Sequence, residues 1–263
     1  RLALLTDRVF KGLGLSGRSV IPLTLGLGCG TMAVIVTRTL ESKRERLIAT
    51  LLLALAIPCS AQLGLFLGVL SAYPLGLAMW GGVVLSALIL SGTLANRILP
   101  GDKPSFYLEV PPLRFPSLSN IFVKTFTRMV WYFREVIPIF IGISLLISIG
   151  SLVGVLDSIT QLLNTPVHML GLPPEMALIF LLGFLRRDYG AAGLYQLYTK
   201  GVLDPFSLVV AAVTLTLFLP CLAQVAVMIK ERGVMITAVI FVIVALLAFS
   251  AGVLMKQLFV FLG

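Results

Sequence analysis

The sequence is short of charge and nearly empty of the residues from which enzyme centres are built. Of its 263 residues only 12% are charged, there is a single histidine, and the three cysteines form no Cys-x-x-Cys pair. No nucleophile, base and orienting group share a motif, which weighs against an enzyme. The odd cysteine count, in apolar surroundings, argues against a disulfide framework. A soluble domain cannot hide apolar surface on the scale of 59% hydrophobic residues and a mean hydropathy of +1.07, so the chain reads as an all-α polytopic membrane protein. The net charge of +9 sits in short clusters between apolar runs. Such clusters set membrane topology, so membrane lipid and not nucleic acid is the expected partner.

What the sequence does have is one phrase twice: Ile57-Pro58-Cys59-Ser60-Ala61-Gln62 and Leu219-Pro220-Cys221-Leu222-Ala223-Gln224. Each lies inside a long uncharged run, where proline removes a helical N–H and frees the carbonyl one turn earlier. Each run therefore contains a broken helix. In hydrocarbon such a break persists only where protein, water or a bound solute satisfies the freed groups. A thiol and an amide beside it then read as a site, and a proline kink with a packing cysteine is the plainer alternative.

The chain opens at Arg1 with no signal-peptide pattern, as an excerpt of something longer would. Residues 1–18 mix leucines with Arg1, Asp7, Arg8 and Lys11, as in an interfacial helix. Gly12-Leu13-Gly14-Leu15-Ser16-Gly17-Arg18-Ser19 fits G-x-G-x-x-G, but nothing strand-like precedes it and Arg18 stands where a phosphate loop has lysine. It reads as a glycine-rich turn. Residues 19–37 carry no charge and are interrupted by Gly26, Gly28 and Gly30 around Cys29; the basic cluster from Arg38 to Arg46 marks a cytoplasmic loop. The first half, 1–97, is then a re-entrant hairpin at 19–37, a broken helix at 47–72 and a helix at 75–97. Residues 98–134 form a cytoplasmic connector, proline-rich over 100–117, and an interfacial helix with Phe122, Phe126, Met129 and Phe133 on one face.

The second half, 135–263, has a helix at 136–156, then an outer loop at 157–175 that lacks Lys and Arg and holds His168, read as solvated. Two short apolar pieces at 176–199 form a second re-entrant hairpin with Arg186-Arg187-Asp188 at its tip. A broken helix at 205–229 and a helix at 233–255 complete it. Gly28 precedes Pro58 by 30 residues and Gly190 precedes Pro220 by 30, an offset of 162 both times (190 − 28, 220 − 58). Two halves of opposite orientation, each with a hairpin and a broken helix, make an inverted repeat, the architecture of a transporter.

Symmetry would bring Cys29, Cys59 and Cys221 together at the pseudo-twofold axis, though spacing alone proposes no metal site. Thiolates suit soft or borderline ions such as ferrous iron or copper(I), and Gln62 and Gln224 offer amide oxygens. On the residues alone, packing cysteines remain an equal alternative. Arg186, Arg187 and Asp188 at membrane depth are a functional candidate, or an arginine neutralised by Asp188.

Gly26-Leu27-Gly28-Cys29, Thr37 to Leu47, Tyr107-Leu108-Glu109-Val110-Pro111-Pro112, Pro116-Ser117-Leu118, Gly183 to Gly193 and Pro220 to Gln224 carry a resemblance through nearly the whole chain. They resemble the bacterial ferrous iron transport protein B (FeoB) family, in its membrane gate segments. That resemblance implies nucleoside-transporter-like gate domains and a multi-pass permease for iron(II) uptake across the bacterial inner membrane, not an enzyme. Its metal-contacting residues would be Cys29, Cys59 and Cys221, with Gly28, Pro58, Gln62, Pro220, Gln224, Arg187 and Asp188 along the path. It implies GTP as a cofactor only through an amino-terminal GTP-binding domain, in cis or as a separate chain and outside these residues. A small cytosolic accessory protein and a homo-oligomer are further implied partners. The chain departs from the pattern: Gly28-Cys29-Gly30-Thr31-Met32 replaces Gly-Cys-Asn-x-Pro, and Cys59-Ser60-Ala61-Gln62-Leu63-Gly64 replaces Cys-Ser-Ala-Arg-Leu-Pro. The readings set against an iron permease are a nucleoside or small organic solute carrier of similar fold, and a regulatory or structural membrane module that transports nothing.

Overall fold

The computed structural model describes residues 2–99, 117–152, 155–218 and 220–262; the proline-rich connector expected over 100–117 lies almost wholly outside them. Among the described residues all regular structure is helical. Helix α1 (Leu2–Gly12) leads into the glycine-rich turn. There Gly14 has φ +76° and packs on Asn96. The turn's polar groups are taken by carboxylates: Gly17 N–H donates to Asp7 Oδ1 at 2.9 Å, Ser16 N–H to Glu45 Oε1 at 2.7 Å and Ser19 Oγ to the same oxygen at 3.0 Å.

Helices α2 (Val20–Gly26) and α3 (Gly30–Val36) pack against each other. Seven residues rise only about 10 Å, a third of the roughly 30 Å hydrocarbon thickness, so neither could cross alone. Ser42 caps α4 (Lys43–Leu55), its Oγ accepting from Glu45 N–H at 3.0 Å. After Pro58 the chain resumes as α5 (Ser60–Leu70), and α6 (Pro74–Ile98) follows with proline in its first turn.

Helix α7 (Leu118–Leu152) runs without interruption through the boundary expected between an interfacial helix ending at 134 and a crossing starting at 136. A charged residue such as Arg134 does not stop backbone hydrogen bonding, and Pro138 is accommodated inside the helix. The outer loop expected at 157–175 is largely helix α8 (Val155–Met169). Absence of Lys and Arg located the stretch but hid its pattern: Leu163, Val167 and Leu170, spaced i, i+4, i+7, turn inward while His168 in the last turn is exposed.

Helices α9 (Glu175–Leu185) and α10 (Arg187–Thr199) form a second packed pair. Then come α11 (Pro205–Leu217), the second proline break, α12 (Leu222–Arg232) and α13 (Val234–Leu262). Gly233, at φ +87°, makes the turn between the last two.

Among the described residues, four helical stretches are long and apolar enough to cross a membrane: Lys43–Leu70, Pro74–Ile98, Pro205–Arg232 and Val234–Leu258. The broken ones are the core, 56% and 71% buried, whereas the unbroken ones are 28% and 22% buried and show apolar faces outward. Hydropathy alone does not predict that, because Val234–Leu258 is the most apolar of the four and the least buried. The halves interlock crosswise: α3 packs on α12 and α10 on α5, while α6 lies along α11 and α13 along α4.

Candidate functional site: a thiol-lined cavity at two helix breaks

Each proline ends its helix in the manner its chemistry requires. Helix α4 stops at Leu55 and the chain is extended at Cys59 (φ −76°, ψ 167°); α11 stops at Leu217 and is extended at Cys221 (φ −60°, ψ 155°). Both breaks therefore present a cysteine as the residue before a new helix.

The carbonyls freed by the breaks are met across the pseudo-symmetry axis. Gln224 Nε2 donates to Leu53 O at 3.3 Å, and Gln62 Nε2 donates to Leu215 O at 3.2 Å. The two contacts are equivalent, since 224 − 62 and 215 − 53 are both 162. Ala54, whose carbonyl loses its helical partner to Pro58, accepts from Arg187 Nη2 at 3.3 Å. Arg187 Nη1 also donates to Ile57 O at 3.4 Å and Gln62 Oε1 at 3.3 Å. These bonds are long. With 6% of its surface exposed and its Nε without a partner, Arg187 is a buried cation plugged into the first break.

The hairpin hinges are equivalent at a different offset. Cys29 (φ −147°, ψ 114°) separates α2 from α3, and Arg186 (φ −146°, ψ 120°) separates α9 from α10, an offset of 186 − 29 = 157. The sequence pairing of Gly28 with Gly190 is thus not the hinge pairing. Gly190 instead lets the two arms cross: a Cβ there would sit 2.6 Å from Gly183 Cα. As a result the first hinge delivers a thiol and the second an arginine to the same place.

That place is a cavity of about 250 Å³. Eight of the eleven residues singled out from the sequence line it: Gly28, Cys29, Cys59, Arg186, Arg187, Asp188, Cys221 and Gln224. Pro58, Gln62 and Pro220 do not; they shape the breaks from behind. All three cysteines are half-buried free thiols. They share the wall without drawing into a metal-holding cluster: among the described residues no group of three His, Cys, Asp or Glu side chains is close enough to hold an ion.

Asp188 pairs with Arg186 at 2.9 Å, not with Arg187, and the Arg186 guanidinium lies 4.5 Å over the Tyr189 ring. Ser60 and Gly30 also line the cavity and were not singled out from the sequence. Ser60 Oγ donates to Gly28 O at 3.1 Å, clipping the first hairpin to the first break. Its signal was the mismatch between the two copies of the repeated phrase, Ser60 against Leu222.

One end of the assembly is closed by charge: Arg38 Nε donates to Glu231 Oε2 at 2.8 Å, and Arg232 bonds Thr37 and, at 3.3 Å, Thr50. Elsewhere, where α10 meets the turn before α6, the contact is aromatic, with Tyr73 and Tyr198 edge to face at 6.4 Å.

A family profile described as Gate, nucleoside recognition, matches residues 1–73 and 133–235, both hairpins and both breaks. The chain belongs to the Gate family. A second profile, the ferrous iron transport protein B C terminus, matches residues 69–128. Among curated proteins, a Fe(2+) transporter FeoB from Staphylococcus aureus is 28% identical over 88% of this chain and 39% of its own length. One from Salmonella typhimurium is 32% identical over 56% of the chain and 20% of its own length. A Porphyromonas gingivalis Fe(2+) transport protein A/Fe(2+) transporter FeoB fusion protein is 32% identical over 56% and 18%. The Gate chain thus spans about two fifths, or less, of these relatives. No solved structure matches it. Bacterial relatives of this kind and four apolar helices make it a multi-pass protein of the bacterial inner membrane, consistent with a FeoB membrane domain.

Proposed function

We propose that the chain is the membrane permease domain of a ferrous-iron uptake system, with iron(II) passing the thiol-lined cavity between the two inverted halves. One observation carries the reading: thiols from three separate elements, a hinge and two helix breaks, line a single cavity. Iron(II) is a borderline ion that accepts thiolate and amide ligands. A transported ion needs ligands that are near one another yet not locked into a tight cluster, because a permeant ion has to leave again. Cys29, Cys59 and Cys221 share one cavity wall as separate free thiols.

The family description leaves a nucleoside as the rival cargo. At about 250 Å³ the cavity lies below the roughly 300–1,000 Å³ usual for organic ligands, which favours an ion. On this reading 19–37 and 176–199 are re-entrant hairpins, entering from opposite sides. A GTP-binding domain, in cis or as a separate chain, and a small cytosolic accessory protein would act with it; the fused relative from Porphyromonas gingivalis supports the accessory. Assembly into a homo-oligomer is part of the same reading.

The test is iron(II) uptake by cells carrying the full-length protein with Cys59→Ser and Cys221→Ser together. Uptake should fall at least tenfold, as expected when ligands are lost from a metal path. Undiminished uptake would remove the thiols from the route, and uptake inhibited by nucleosides but independent of iron would establish the organic cargo instead.

A further inference from the structure

The repeated phrase gives each half a glutamine one turn beyond its break, and symmetry alone would give both the same task. Their nitrogens do share one. Gln62 Nε2 reaches Leu215 O and Gln224 Nε2 reaches Leu53 O. A carbonyl can only accept, so these contacts fix which end of each amide is nitrogen and where each oxygen must point.

The oxygens meet different surroundings. Gln62 Oε1 accepts from Arg187 Nη1 at 3.3 Å, and Gln62 is not part of the cavity wall. Gln224 lines the cavity beside Cys29, Cys59 and Cys221 although only 1% of its surface is exposed. No donor among the described residues bonds its Oε1. That oxygen rests on Gly30, where an added Cβ would lie 2.6 Å away, so the absence of a side chain at position 30 is what admits it. The hairpin offset of 157 explains the divergence: the position equivalent to Arg187 is Gly30 (187 − 157), which has no side chain to offer the second glutamine, so among the described residues no arginine bonds it.

We propose that Gln224 Oε1 is an oxygen ligand to the metal ion in the cavity and sets its selectivity, whereas Gln62 is a positioning residue that holds Arg187 against the first break. The proposal rests on the permease reading and deepens it. An all-thiolate wall favours copper(I) or zinc; a neutral amide oxygen shifts preference toward ferrous iron without adding charge beside Arg187.

The experiment uses the full-length protein in proteoliposomes, measuring iron(II) uptake over a concentration series with copper(I) as competitor. In the Gln224→Leu variant KM for iron(II) should rise about tenfold and copper(I) should compete better, with the maximal rate changed less than KM. Gln224→Glu, which restores an oxygen, should recover most of the KM. Gly30→Ala should raise KM in the same direction while leaving every thiol in place, and serves if Gln224→Leu does not fold. Gln62→Leu should reduce the amount of folded protein, because Arg187 then loses an acceptor that holds it against the first break. Wild-type vesicles that pass no iron would overturn the permease reading itself. Vesicles that pass iron with one KM and one copper(I) sensitivity in wild type, Gln224→Leu and Gly30→Ala would overturn the Gln224 assignment alone.

Discussion

The two helix breaks share a sequence and an extended cysteine, yet they are held in different ways. The first, at Pro58, has its freed carbonyls met by two side chains of the opposite half, Gln224 on Leu53 and Arg187 on Ala54 and Ile57. The second, at Pro220, receives Gln62 on Leu215. Among the described residues the same local defect thus acquires a cation on one side of the axis and none on the other. A symmetric pair of breaks would make a symmetric cavity; the extra arginine gives this one a direction.

The comparison can be broken most severely at Arg187. Arg187→Ala leaves Ala54 O, Ile57 O and Gln62 Oε1 without their donor. Because each orphaned buried acceptor costs roughly 1–3 kcal/mol, the loss should be about 2 kcal/mol or more despite the removal of a buried charge. It is read as the fall in melting midpoint of the purified protein in detergent. Arg187→Lys should rescue only part of that, since an ammonium lacks the planar fork that reaches several acceptors.

Next in size are the glutamines. Gln224→Ala orphans one carbonyl and should cost roughly 1–3 kcal/mol in the same measurement. Gln62→Ala orphans Leu215 O and also frees Arg187, so it should cost more. Equal losses would show that Arg187 holds its place unaided.

The ionic contact at the end of α12 should matter less. The Arg38 side chain is 49% exposed but that of its partner Glu231 only 7%, so Arg38→Gln should cost about 1 kcal/mol, and part of the difference should shrink in high salt. Tyr73→Ala, at the aromatic contact, should show no such salt dependence.

The smallest effect is expected at the glycine-rich turn. The Lys11 hydrogen bond, opposed by burial and helped by Gly17 N–H, holds the Asp7 carboxyl below its ordinary range. A carboxylate with a lowered folded pKa stabilises above its unfolded pKa, and that contribution is lost as pH falls through the folded value. Asp7→Asn should therefore lower the melting midpoint slightly at neutral pH and not at all once acid has protonated the wild-type group.

Much of the molecule was legible beforehand because its signals are local. Proline removes one N–H wherever it stands, so Pro58 and Pro220 announced their breaks, and the repeated phrase announced that the breaks are related. Charge clusters located the apolar stretches but misplaced helix ends at 134–136 and hid α8, since a basic residue reports water and not backbone geometry. The pairing of Gly28 with Gly190 did not mark the hinges, which fall at Cys29 and Arg186. Hinge position depends on how two short arms cross, and Gly183 against Gly190 decides that crossing in the second hairpin.

By itself the sequence determined a membrane-spanning all-helical chain with two related, thiol-bearing helix breaks. Hydropathy and the missing proline N–H act within a few residues of their source. Only the tertiary structure decided that Cys29 shares a cavity wall with the other two thiols, that Asp188 neutralises Arg186 and leaves Arg187 to the first break, and that one glutamine oxygen is met by Arg187 while the other lies against Gly30. Those outcomes rest on which carbonyl, guanidinium or glycine the opposite half brings within about 3 Å, and hydrogen bonds of that reach join residues more than a hundred positions apart.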